Sequence, residues 1–298
     1  SREGVFKMFL DLRYHITSLA AIFLALGIGI LIGSSMIGSD AMTKQQKKMI
    51  EGIEKEFALL REENKQNEEQ LIKSQEVMAN QQQFNQSVLP LLVRDKLKGR
   101  KVALLDLNYH KEHDGLANVL RSAGADVQSV TVVNLSLLKD PILSKQTAGI
   151  LGNTKNDNPD KYLPDLARLL AGAIATGENG DLVRFLDDNE VIKISGNYGP
   201  PLQDLILVGG SDSKDLDYAK KFDLVMVKNL QKASIGVYGV EDSQTPISYM
   251  RYYQNARLTT VDDIDTTYGQ LALVQAMFGY PGNYGIKPSA EAFLPPLE

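Results

Sequence analysis

Two of the chain's three histidines stand together in Leu107-Asn108-Tyr109-His110-Lys111-Glu112-His113-Asp114, directly after an apolar run that reads as a strand. Imidazole and carboxylate are ordinary metal ligands, which makes His110, His113 and Asp114 the candidate metal set, copper included. The H-x-x-H spacing is not the i, i+4 pair that turns two imidazoles onto one helix face, and no third strong ligand accompanies it. The competing reading is a solvated strand-to-helix loop whose Asp114 caps the following helix.

Two further segments could carry chemistry. Val208-Gly209-Gly210-Ser211-Asp212 follows a second apolar run, and glycines there can let a phosphate approach backbone N–H groups. Both G-x-G-x-x-G and the Walker pattern are missing, which favours a tight turn. Val261-Asp262-Asp263-Ile264-Asp265 precedes a helix. Paired carboxylates can serve hydrolysis, yet no histidine or nucleophile is close in sequence. Asp265 or Thr266 suits the N-cap, and Asp262 and Asp263 suit the positive end of the helix, so structural capping is the expected role.

Composition removes several classes. There is no cysteine, which rules out disulfides, thiolate metal sites and cysteine nucleophiles. The eight methionines (Met8, Met36, Met42, Met49, Met78, Met226, Met250 and Met277) are scattered rather than gathered in a copper-binding motif. A net charge of −5 argues against nucleic acid as a partner. No catalytic constellation assembles, and the expectation is a protein that is not an enzyme and has no resident cofactor, with copper as the one exception to consider.

Elements must position these residues, and the first of them is an anchor. Residues 14–39 contain no Asp, Glu, Lys or Arg, and Ile16 to Ile37 is long enough to cross a bilayer as one helix. A signal peptide cleaved near Gly33-Ser34-Ser35 is the competitor, but its apolar region would be shorter. Met8 is a candidate start, with residues 1–7 then foreign to the chain. Arg2, Lys7 and Arg13 on one flank balance Lys44, Lys47 and Lys48 on the other. The short tail 1–13 is expected in the cytoplasm and residues 40–298 outside it, as in a single-pass protein of a bacterial cell membrane. Ala21, Ala25, Gly29 and Gly33 recur every four residues, a small face through which two such helices can associate.

Residues 40–89 predict a coiled-coil stalk. A heptad frame places Ile50, Phe57, Asn64, Leu71, Met78 and Asn85 at a, with Ile53, Leu60, Asn67, Gln81 and Val88 among the d positions. Asn64 and Asn67 weaken the seam while favouring one register. A single solvated helix is the alternative; a parallel homodimer is favoured because anchor and stalk ask for the same partner. A continuous helix to Val88 would reach on the order of 70 Å beyond the membrane.

Residues 90–281 predict an α/β body with a mostly parallel sheet, a Rossmann or flavodoxin-like sandwich, with a subdomain split near 150–160 in view. Strands are expected at 102–107, 127–133, 191–195, 204–209, 223–227, 234–240 and 258–261. Helices are expected at 114–122, 164–175, 181–187 and 266–278, closed by Gly279. Residues 282–298 read as a surface strap or a loose tail.

With these segments in place the chain resembles the MctB/SteB family of bacterial envelope proteins. Asp11-Leu12-Arg13-Tyr14-His15-Ile16 with the following apolar run to Met36 is similar to that family's anchor. Thr259–Met277, holding Asp262, Asp263, Asp265 and Gly269, and Gly282-Asn283-Tyr284-Gly285-Ile286-Lys287 resemble its C-terminal signature. The resemblance implies one of two roles. SteB-like members are cell-division proteins that work with the cytoplasmic partner SteA to control peptidoglycan hydrolysis and cell separation; MctB-like members are copper transport proteins. The first is expected here, with self, a SteA-like protein and a peptidoglycan hydrolase as partners; copper transport or homeostasis is the alternative.

Overall fold

The computed structural model describes residues 12–107, 113–152, 158–199, 201–212, 214 and 218–297. The chain divides into two compact units, Ser1–Ala79 and Asn80–Glu298. The described residues of the first belong to a single helix, α1 (Leu12–Val93), whose last turns lie in the second unit. Within α1, Arg13–Met36 is long and apolar enough to cross a membrane, and none of it is covered by protein. It is the one such segment among the described residues.

In the second unit, α1 carries Pro90 in its last turn and stops at Val93, where Asp95 and Gly99 turn the backbone through positive φ. The body then runs β1 (Lys101–Asp106), α2 (Asp114–Ser122), β2 (Asp126–Val133), a 3₁₀ turn (Leu135–Lys139), α3 (Pro141–Ile150), α4 (Pro159–Thr176), α5 (Gly180–Asp188), β3 (Ile192–Gly196) and β4 (Asp204–Val208). After β4 come α6 (Leu224–Lys232), β5 (Gly236–Val240), α7 (Met250–Asn255), β6 (Thr259–Val261), α8 (Thr267–Phe278) and β7 (Asn283–Tyr284).

The strands form one sheet in the order β3-β2-β1-β4-β5-β6-β7, parallel except for β3, which pairs antiparallel with β2. β1 lies inside the sheet with β2 on one side and β4 on the other, so the winding reverses between β1 and β4. Both faces are covered, which is why β1 and β4 are apolar at every central position rather than alternating. Ala103, Leu105, Leu205 and Leu207 join one core with α4, α5, α6 and α7. Val102, Leu104, Ile206 and Val208 join the other with Leu89 and Val93 of α1, with α2 and with α8.

Residues 223–227 are helical, not the strand their apolar run suggests. Phe222, Met226, Val227 and Leu230 are all buried at helical spacing, and the period over the longer window wins over the short run. β3 is present but antiparallel. Residues 283–284 form the last strand of the sheet, pairing parallel with β6 rather than lying loose.

Candidate functional site

The register aligns Asp106, Val208, Val240 and Val261 in one row across β1, β4, β5 and β6. Immediately past that row the chain places Glu241-Asp242 after β5 and Asp262-Asp263 after β6. Asp106 ends β1 itself. In open α/β sheets this carboxyl edge is where ligands sit. Here it is filled from within: Asp106, Glu241, Asp242, Asp262 and Asp263 are all at most 1% exposed.

His113, at the foot of α2, lies between two of these acids. Its Nδ1 meets Asp106 Oδ2, and its Nε2 lies 2.9 Å from Asp242 Oδ1. Burial disfavours the imidazolium, but the hydrogen bonds and charges of Asp106 and Asp242 outweigh it and raise the pKa to about 10. His113 is therefore a cation at neutral pH with both ring nitrogens engaged.

Lys287 is the second cation. Its Nζ donates to Glu241 Oε1 and to the Asp242 carbonyl, both at 2.7 Å. Glu241 Oε2 accepts from the Tyr249 N–H at 2.9 Å. The backbone around Lys287 is held by Asp262, whose Oδ1 accepts from Ile286 N at 2.8 Å and from Lys287 N at 3.2 Å. Gly285 makes that approach possible: its φ is +134°, and an added Cβ would overlap the Asp262 carboxylate.

Asp263 differs from its neighbours. It is wholly buried, and neither carboxyl oxygen has a hydrogen-bond partner among the described residues. Burial, reinforced by the charges of Asp262 and Asp265 and eased by Lys287, lifts its pKa to about 7. Asp265 instead accepts from Ser243 N and Oγ, each at 2.7 Å, and Thr266 caps α8 by accepting from Gly269 N. Gly269 lies so close to Asp263 that a Cβ would overlap its backbone carbonyl.

Over residues 9–295 the chain matches the family model described as "Copper transport outer membrane protein, MctB". The chain belongs to the MctB family. No curated protein matches it. In this MctB-family chain the two segments that carried the resemblance, Thr259–Met277 and Gly282–Lys287, meet beside the carboxyl ends of β5 and β6, where Asp262 holds the backbone of Ile286 and Lys287.

The candidate metal set lies only partly within the described residues. His113 is held by Asp106 and Asp242, while His110 and the side chain of Asp114 lie outside the described residues. Asp114 begins α2 with His113, not Asp114, at the N-cap. Among the described residues no group of three or more His, Cys, Asp or Glu side chains is arranged to hold a metal ion. The Gly209-Gly210 loop is a packing device: an added Cβ at Gly209 would overlap the Tyr253 hydroxyl, and one at Gly210 the methyl of Thr245.

On α1, the small-face residues Ala21, Ala25 and Gly29 are exposed and Gly33 is half-buried, with open space beside both glycines. The seam residues Ile50, Ile53, Phe57, Leu60, Asn64, Leu71 and Met78 are exposed as well.

Sequence reasoning missed Asp106, Glu241, Asp242 and Lys287. A signal was there: three apolar strands (VALLD, VYGVED and TTVDD) each run directly into acid.

Proposed function

We propose that this MctB-family chain is a membrane-anchored, non-enzymatic component of copper transport or copper homeostasis, acting by binding rather than by conducting copper itself. The observation that carries this reading is the span of the family match, residues 9–295, which attaches the family's stated role to anchor, stalk and body together. One apolar helix can tether a protein. It cannot alone enclose an aqueous path, which needs several helices or a closed barrel.

Finer readings complete the proposal. The N-terminus is cytoplasmic and the body extracytoplasmic. α1 forms a parallel coiled-coil homodimer through the Ala21–Gly33 face and the Ile50–Met78 seam, and the body is a doubly wound, Rossmann-like sheet. The strand order, with its reversal between β1 and β4, supports the last point. The body's buried acids are partly neutralised by His113 and Lys287, which supports a binding module over a catalyst.

The test is a deletion strain assayed for cellular copper content and copper tolerance, then complemented with the full chain and with a chain lacking residues 13–36. The expected result is copper accumulation restored to normal by the full chain only. Unchanged copper content in the deletion strain would overturn the reading.

A second reading is favoured by the apolar seam left exposed on α1, which is built to meet protein. It makes the chain a scaffold for cell separation, engaging a SteA-like protein or a peptidoglycan hydrolase. Cells that stay joined after division while their copper content is normal would put this reading first.

A further inference from the structure

The end of α1 and the start of α8 enclose an apolar groove of about 370 Å³ that lies wholly within residues 80–298. Gln81, Asn85, Val88 and Leu92 line one wall, and Tyr268, Leu271 and Phe293 line the other. The Tyr268 and Phe293 rings pack 5.0 Å apart. Water nevertheless reaches much of the apolar surface: Phe84 is 65% exposed, Phe293 51% and Leu92 43%. Side chains of this size left open on a folded body mark a contact surface.

We infer that this groove receives α1 of a second copy of the chain, parallel and in register, so that the body of each protomer clamps the stalk of the other. The inference rests on the paired-stalk reading above and extends it to the body. The heptad frame supplies the first argument. Counted from Ile50 it arrives at Gln81 and Val88 as d and at Asn85 and Leu92 as a, so the groove wall is the seam itself, continued without a break in phase.

The flanking positions supply the second. Along the upper stalk the e and g positions are mostly polar, with Lys47, Glu54, Arg61 and Glu68 at e and Glu56, Glu63 and Gln70 at g. From Val77 most of them turn apolar: Val77, Phe84 and Leu91 at g and Leu89 at e, with Gln82 at e the polar exception. In a parallel pair, g of one helix meets the following e of its partner. Glu56 then meets Arg61 while Glu63 faces Glu68, like charge to like, so the stalk flanks contribute little, whereas Phe84 falls beside the partner's groove, level with Leu89, which lines it and is itself buried against its own body. The seam widens where a second surface is present to cover it.

Asparagine supplies the third. Asn64 and Asn85 both occupy a, where asparagine prefers its own counterpart in a two-stranded, in-register pair. An unrelated helix would have to supply that partner at the same height.

Because the chain has no cysteine, single-cysteine variants of the full chain in membranes report the contact directly. Ile53→Cys probes the stalk and Asn85→Cys the groove, each oxidised and read as a disulfide dimer. We expect both to form dimers. Adding Phe293→Ser or Tyr268→Ser should lower the Asn85→Cys yield about tenfold, the loss of one buried aromatic contact. The Ile53→Cys yield should stay within about twofold. The body's resistance to protease serves as the folding control for each variant.

Dimers at Ile53→Cys without dimers at Asn85→Cys would overturn the clamp and leave the paired stalk standing. An Asn85→Cys yield indifferent to both groove substitutions, or Asn85→Cys captured by a different protein, would overturn it too. Dimers at neither position would remove the paired stalk along with it.

Discussion

The ammonium of Lys287 lies 2.7 Å from Oε1 of Glu241, joining the segment after β7 to the end of β5 across 46 residues of sequence. Glu241 is fully buried, so this pair closes the C-terminal segment over the sheet edge and neutralises a carboxylate that water cannot reach. A buried pair of this kind adds little over an apolar replacement of both partners, yet breaking it strands a charge. Lys287→Met should therefore destabilise the body by about 3–5 kcal/mol. Glu241→Gln together with Lys287→Met should cost less than Lys287→Met alone. Denaturant unfolding of the three proteins checks both statements, and a double variant as unstable as the single one would refute the pairing argument.

His113 gives the body a pH dependence on the alkaline side. Its folded pKa is raised from 6.5 to about 10 by Asp106 and Asp242, against the opposing effect of burial. The folded state thus holds the proton more tightly than the unfolded chain. The stability from this pair of contacts is fully present below pH 6.5 and drains away as pH rises toward 10, on the order of 5 kcal/mol in all. Unfolding midpoints measured between pH 6 and 10 should fall, and His113→Gln should flatten that part of the curve while lowering stability at pH 6.

Asp263 acts in the same direction over a lower range. Its folded pKa is raised from 3.8 to about 7, so the native state prefers the protonated carboxyl. Ionising it costs stability progressively between pH 4 and 7, and the penalty is constant above that. Asp263→Asn removes the charge and keeps the shape. At pH 8 it should stabilise the body by about 4 kcal/mol relative to its effect at pH 4. Thermal unfolding of both proteins at the two pH values is the measurement.

Much of the scaffold was legible in the sequence because strongly patterned segments carry their own evidence. The apolar run 16–37, the buried strand VALLD and Thr266 capping α8 all follow from local physics. The strand expected at 223–227 did not, because a five-residue apolar run fits either period and only Phe222 and Leu230 outside it decide. The carboxyl-edge network was illegible for a different reason. Asp106, His113, Glu241, Asp242 and Lys287 come from three separate stretches of chain, and only the strand order brings them together. His113 looked like half of a metal pair because its neighbour in sequence is His110, whereas its neighbours in space are two aspartates. Asp262 and Asp263 read as acids suited to the positive end of α8, while its N-cap is Thr266, one of the two residues expected there.

The glycines of the Gly209-Gly210 loop give a last test, which separates packing from phosphate binding. Tyr253 is fully buried beneath the end of β4, and its hydroxyl donates to Asp223 Oδ2 at 2.5 Å. An added Cβ at Gly209 would overlap that hydroxyl first and the ring edge next, with Cζ at 2.7 Å. Gly209→Ala should cost about 1–3 kcal/mol through overpacking. Removing the hydroxyl with Tyr253→Phe relieves the closest overlap, so Gly209→Ala should cost less in that background, a coupling visible in a double-mutant cycle. A phosphate-binding loop predicts something else: inorganic phosphate or a nucleotide would raise the melting temperature of the unsubstituted protein, and Gly209→Ala would abolish the rise. We expect no rise with either ligand, and a coupling between residues 209 and 253 of about 1 kcal/mol.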